Sequence, residues 1–143
     1  MSETPLEQGR TISLERTVEW VDTDASGHQH NSVVIRWVEA AEAQLMRELE
    51  LPEYFPNAPR VQHVVNFTGM LWFGQEARVD LWVQDIGRTS LTFEFEVVSS
   101  RFGSSPGGQV ASGTVTVMHV PQGETGAQPW PTEMLRKLEQ VSA

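Results

Sequence analysis

Polar and apolar positions alternate over residues 12–21: Ile12, Leu14, Val18 and Trp20 share one side, Ser13, Glu15, Thr17 and Glu19 the other. A period of two predicts a strand with one covered face, broken only at Arg16. A polar loop, residues 22–30, follows. From Ser32 the period lengthens, with Val34, Val38, Ala41, Leu45 and Leu49 recurring every three or four residues. That is one face of a long amphipathic helix, and Ile35, Trp37 and Met46 widen its apolar stripe. Asn31 or Ser32 is the expected N-cap and Pro52 the expected stop. Arg36, Glu39, Glu42, Arg47 and Glu50 are expected in solvent, with Glu39 close enough to the first turns to face a site.

After the Pro-rich connection at 52–59, the period of two returns. Val61, His63, Val65 and Phe67 share a face over 60–68; a bend bracketed by Gly69 and Gly74 follows; Ala77, Val79, Leu81 and Val83 share a face over 76–84. Residues 85–87 read as a turn, 89–99 as the cleanest strand, 101–109 as a flexible hairpin loop and 110–120 as a last, β-branched strand. A short helix from Thr132 to about Val141 closes the chain. One strand, one long helix and four further strands in a meander define an α+β fold: a curved antiparallel sheet of about five strands curls round the helix and buries both apolar faces. The chain is expected to be a single domain over 1–143, with a loose lead-in at 1–10 and an extension at 121–143 that carries the short helix. An open sheet leaves unpaired edges, so a homodimer with a continuous sheet, or a homotetramer built from two, is expected.

The net charge of −9, with only 10 Lys and Arg, disfavours a nucleic-acid partner and requires a local basic patch for any phosphorylated ligand. No apolar run is long enough for a membrane span, and no secretory leader is read at the N-terminus; a cytoplasmic location is the default expectation. Without cysteine, neither a thiol nucleophile nor a disulfide enters the chemistry. Candidate chemistry concentrates in the 22–30 loop. Asp24 precedes the N-cap by seven residues, far enough for the loop to fold back and set a carboxylate beside the helix start. There, unpaired N–H groups at Asn31 and its neighbours would polarise a carbonyl that Asp24 attacks, or that a water deprotonated by Asp24 attacks. Gly27 would let the backbone approach the substrate, and His28 would shape the loop by local hydrogen bonds. Against this, Asp24 could simply close a turn. Asp22, Asp24, His28 and His30 include metal-ligand types, and Asp24, Ser26 and His28 include triad types, but one short loop fixes neither geometry. His63 and His119, on strands, read as structural.

The run DTDASGHQHNSVVIRWVE, residues 22–39, resembles the signature of hotdog-fold acyl-CoA thioesterases of the 4-hydroxybenzoyl-CoA thioesterase type. The likeness is close over about thirty residues, and the strand pattern agrees in kind over nearly the whole chain. It implies that Asp24 matches the catalytic carboxylate and the Asn31 N–H the amide that polarises the thioester carbonyl, with Gly27 and His28 in the same loop. Some relatives carry His in place of Asn31 and Tyr in place of Trp20. The resemblance also puts Arg88, Thr89 and Ser90 where related enzymes hold the coenzyme's phosphates, with Arg101, Arg136 and Lys137 as weaker partners. It implies a small acyl-CoA substrate, coenzyme A as part of that substrate, and no further cofactor or metal. A carrier-protein thioesterase, a hydratase using Asp24 and His28, and a non-catalytic acyl-CoA-binding module are the alternatives. The acyl group is not specified by the sequence.

Overall fold

The computed structural model describes residues 9–142. Five strands, β1 (Thr11–Thr17), β2 (Arg60–Phe67), β3 (Glu76–Ile86), β4 (Ser90–Ser99) and β5 (Gly108–Met118), form one antiparallel sheet in the order β1-β3-β4-β5-β2. Helix α1 (Val33–Glu48) packs on it, and α2 (Thr132–Val141) lies against β3. The expected α+β architecture is present. Most of the expected lead-in, residues 1–8, lies outside the described residues.

The helix stripe meets the inner faces of the central strands. Val34, Val38, Ala41 and Leu45 are fully buried, as are Val79, Leu81 and Val83 of β3, Leu91 and Phe93 of β4, and Val115 and Val117 of β5. Strand β4 alternates without a break between buried and half-buried positions, as expected of a central strand with one face on the core. Met134, Leu138 and Val141 of α2 join the same core, and Trp130 ties the segment before α2 to the sheet by donating from Nε1 to the Ser90 carbonyl at 2.9 Å.

Four expectations need correction. The strand expected over 12–21 ends at Thr17; Trp20–Asp22 form a 3-10 turn, and Trp20 is 74% exposed rather than on the inner face. The four later strands do not make a simple meander: β2 crosses to the far edge and pairs with β5, and only β3, β4 and β5 follow one another. This pairing depends on Gly113, opposite Val65, where a Cβ would come within 1.8 Å of the Val64 carbonyl oxygen. The helix stops at Leu49 before Pro52 acts. Glu50 takes φ +56° and its N–H donates to the Arg47 carbonyl, while Leu51 N–H reaches back to Met46, a Schellman ending without glycine. Finally, Glu42 is buried. It accepts from the Tyr54 hydroxyl and the Arg60 guanidinium, so the 3-10 segment Pro52–Asn57 and the start of β2 are pinned to α1 by a charge.

Candidate active site

The 22–30 loop is anchored by a buried residue at each base. Asp22 is 3% exposed: Oδ2 accepts from Glu19 N–H at 2.9 Å, Oδ1 accepts from Arg36 Nη2 at 2.7 Å, and its carbonyl accepts from His30 N–H at 2.7 Å. Gln29 is also buried. Its N–H donates to the Leu71 carbonyl and its Oε1 accepts from Leu71 N–H, each at 2.8 Å. Between these anchors Asp24 N–H donates to the His28 carbonyl and Gly27 N–H to the Asp24 carbonyl. Gly27 turns the loop at φ +91°, which is what requires glycine there; an added Cβ would sit in ordinary contact with the Trp72 ring, 3.8 Å away. Arg36, one turn into the helix, is the partner that commits Asp22 to the fold and sets it apart from Asp24.

Asp24 is exposed and holds no cation. Its Oδ1 accepts from the Ser26 N–H at 2.8 Å and from the Ser26 hydroxyl, the turn geometry that an Asx residue favours. Those two donors, with smaller contributions from His28 and His30, keep the carboxyl below its ordinary range and therefore ionised. Oδ2 takes no hydrogen bond among the described residues, and His28 Nδ1 lies 3.8 Å from it. One oxygen thus anchors the carboxylate and the other is free to react.

The carboxylate faces a groove of about 520 Å³ lined by Asp24, His28, Gln29, His30 and Asn31 on the loop side, and by Phe67, Thr68, Gly69 and Met70 on the other. Phe67 and Met70 are 45% and 56% exposed, an apolar wall opposite the charge. No local pattern marks that wall, because only the crossing of β2 to the sheet edge brings residues 67–70 to the loop. Gly27 is not among the lining residues. Asn31, two residues before helix α1, is the lining residue nearest the helix start. Ser32 occupies the cap position without a capping bond, its hydroxyl lying instead 2.8 Å from His30 Nδ1. Among the described residues the Asn31 N–H has no hydrogen-bond partner, so an unpaired donor at the positive end of the helix shares the groove with Asp24.

The other candidates fall elsewhere. Arg88, Thr89 and Ser90 lie at the β3–β4 turn, whereas the groove adjoins the opposite end of the sheet, where Ser99 pairs with Gly108. The ten residues of β4 separate the two ends by about 30 Å, so a single protomer does not unite them. Arg136 is paired with Glu133 and Lys137 Nζ donates to the Glu50 carbonyl; Arg101, in the β4–β5 loop, is at the groove's end of the sheet but is not among the residues that line it. The triad types do not form a relay: Ser26 bonds Asp24 directly, and His28 Nδ1 donates to the Gln29 carbonyl at 3.1 Å. Among the described residues no three His, Cys, Asp or Glu side chains converge on one point. His119 Nδ1 lies 3.2 Å from the Gln128 carbonyl and its ring packs against Trp130. His63 packs edge-on against Phe95. No helix among the described residues is long and apolar enough to cross a membrane.

A helix cradled by a five-stranded antiparallel sheet, with a carboxylate loop opening onto its N-terminus, defines the hotdog class of α+β proteins. Residues 18–138 match the thioesterase-like superfamily, and the chain belongs to it; membership supports thioester hydrolysis as the general activity. Solved structures agree in fold. A predicted thioesterase from Bacillus stearothermophilus superposes with a TM-score of 0.79 at 24% identity, over 92% of this chain and 97% of that one. A 1,4-dihydroxy-2-naphthoyl-CoA thioesterase from Synechocystis gives 0.77 at 16%, over 90% and 96%. A mutant 4-hydroxybenzoyl-CoA thioesterase, solved with 4-hydroxybenzoyl-CoA, gives 0.77 at 16%, over 90% and 99%. No curated protein sequence matches the chain at a significant level.

Proposed function

We propose that the chain hydrolyses an acyl-CoA thioester to the free acid and CoA-SH, with Asp24 as the reacting carboxylate. The observation that carries this is the pairing, in one groove, of an ionised Asp24 whose Oδ2 is uncommitted with an Asn31 N–H that has no partner among the described residues. The thioester carbonyl oxygen accepts from the Asn31 N–H. Oδ2 then either attacks the carbonyl carbon, giving an anhydride that water opens, or takes a proton from the attacking water. Negative charge on the carbonyl oxygen grows against the helix N-terminus in both routes. The carbon–sulfur bond breaks as the carbonyl reforms, the thiolate takes up a proton, and water supplies the oxygen of the acid. The acyl group lies along Phe67 and Met70.

The assembly follows from the sheet edges. Strand β1 leaves Thr11, Ser13, Glu15 and Thr17 exposed, whereas β2 exposes Val61, Val64 and Phe67. An apolar edge with open backbone groups suits a second copy, so we assign a homodimer joined antiparallel through β2. That two-fold turns the partner's Arg88 turn onto the side of the sheet where this protomer's groove opens, which is how Arg88, Thr89 and Ser90 would meet the coenzyme's phosphates. Light scattering should report a dimer, or a tetramer of two such dimers. Val64→Lys should give monomer with loss of turnover; unchanged assembly would sink the β2 interface.

Thiol release from a panel of aromatic and aliphatic acyl-CoA esters tests the function. Turnover of one group supports the reading and names the acyl class. Binding of CoA esters without turnover would leave Asp24 as a turn-former in a binding module, and turnover of carrier-protein thioesters alone would move the substrate to that alternative.

A further inference from the structure

The two imidazoles in the groove are held in opposite tautomers. His28 Nδ1 lies 3.1 Å from the Gln29 carbonyl, an oxygen that can only accept, so Nδ1 carries the hydrogen and Nε2 is the lone pair. His30 is reversed. The Ser32 backbone N–H points at His30 Nδ1 from 3.2 Å, and a backbone N–H can only donate. A hydrogen on His30 Nδ1 would face that N–H head-on, so Nδ1 is the acceptor, and the Ser32 hydroxyl at 2.8 Å gives it a second donor. The neutral ring therefore carries its hydrogen on Nε2. Among the described residues no acceptor takes that hydrogen, and His30 lines the same groove as Asp24 and Asn31.

We infer that His30 Nε2–H is a second donor to the thioester oxygen, working beside the Asn31 N–H. The inference deepens the proposed reaction and rests on it. One free N–H at a helix start is a single donor; a tetrahedral intermediate carries a full negative charge and is better held by two. His30 can supply the second without reorganising, because Ser32 fixes its ring and tautomer before substrate arrives. It keeps its proton throughout: the hydrogen bond strengthens as charge builds on the oxygen and weakens when the carbon–sulfur bond breaks. His30 cannot be the base in this arrangement, because its only lone pair is already occupied by Ser32. Proton removal stays with Asp24. The Ser32 side chain, which the sequence pattern marks as a helix cap, orients the imidazole instead.

The test joins a spectrum to kinetics. Two-bond ¹H–¹⁵N correlation of the wild-type protein should show the His30 ring protonated at Nε2, and this needs no substrate. With a turned-over acyl-CoA, His30→Ala should lower kcat about a hundredfold while KM moves by less than about threefold, the split expected of a donor used in the transition state. His30→Gln, whose amide N–H reaches nearly as far as Nε2, should recover about tenfold of that loss. A ring protonated at Nδ1, or an alanine variant with wild-type kcat, would overturn the role of His30 and leave Asp24 standing. A wild type that hydrolyses no thioester would overturn the proposed reaction and the role of His30 with it.

Discussion

Helix α1 is served by two carboxylate centres that resemble each other in composition and differ in everything that decides chemistry. Before its first turn, Asp24 is exposed, its donors are the neutral groups of Ser26, and one oxygen is unused. Farther along, Glu42 is 4% exposed and both oxygens are taken, by Tyr54 and by Arg60. Burial pushes the Glu42 carboxyl up, with Tyr54 and Arg60 pulling it back, and burial beside Glu42 pushes the Tyr54 hydroxyl well up, so that it remains a donor. A carboxylate that is fully partnered and dry is committed to the fold. One that is wet and half satisfied is free to do chemistry. Asp22, two residues from Asp24, repeats the lesson: it is buried, paired with Arg36, and structural.

Breaking the first centre should cost activity and little else. Asp24→Ala is expected to lower kcat/KM about a thousandfold, about 4 kcal/mol of transition-state stabilisation, with a melting temperature within about 2 °C of wild type. Equal losses of both would merge the two centres and refute the contrast. Breaking the second should do the reverse. Glu42→Ala leaves Arg60 without its buried partner and should cost about 3 kcal/mol in urea denaturation, while the fraction still folded at 25 °C keeps wild-type kcat. Adding Arg60→Leu should return part of that loss, since the stranded charge goes with it.

How far each centre can be read from the sequence follows from the same physics. The strands, the long helix and the α2 segment are legible because burial on one face prints a period of two or of 3.6 into the chain. The loop is legible as a place for chemistry because Asp24 and the helix start are close in sequence. Glu42 is not, since a lone acid on a helix looks solvated until Tyr54 and Arg60, 12 and 18 residues away, fold over it. Phe67 and Met70 are invisible as site residues for a related reason: strand order is a long-range property, and β2 crossing to β5 leaves no periodic trace. Alternation alone carries the first strand on to Trp20 and puts that ring inside. Turn chemistry at Glu19 and Asp22, not hydrophobicity, ends the strand earlier.

Smaller perturbations sharpen the contrast by pH. At the open centre, Ser26→Ala removes the hydroxyl that most lowers the Asp24 carboxyl. The acid limb of kcat/KM should then move to higher pH, because Asp24 picks up its proton earlier on acidification; an unmoved limb would mean that the limb belongs to another group.

At the closed centre the smallest effect comes from His63, on β2 beside Arg60. Burial first, then the Arg60 charge, hold its imidazole below the ordinary value of 6.5, with Glu39 opposing, and its Nε2 is buried without a partner among the described residues. The sign follows from which state binds the proton better. The unfolded chain protonates His63 near its ordinary value, whereas the folded chain resists until lower pH. The neutral ring's contribution is therefore complete above 6.5 and is lost as pH falls through the lowered folded value. Melting temperatures taken at about pH 7.5 and about pH 5.5 should fall on acidification in the wild type and fall less in His63→Phe, which keeps an aromatic ring against Phe95 and has nothing to protonate. The Asp24 variants should show the wild-type slope, because that carboxylate stays ionised across the interval. If His63→Phe leaves the slope unchanged, His63 is not the group responsible, and the raised Glu42 carboxyl cannot take its place, because a folded state that binds that proton more tightly gains stability on acidification.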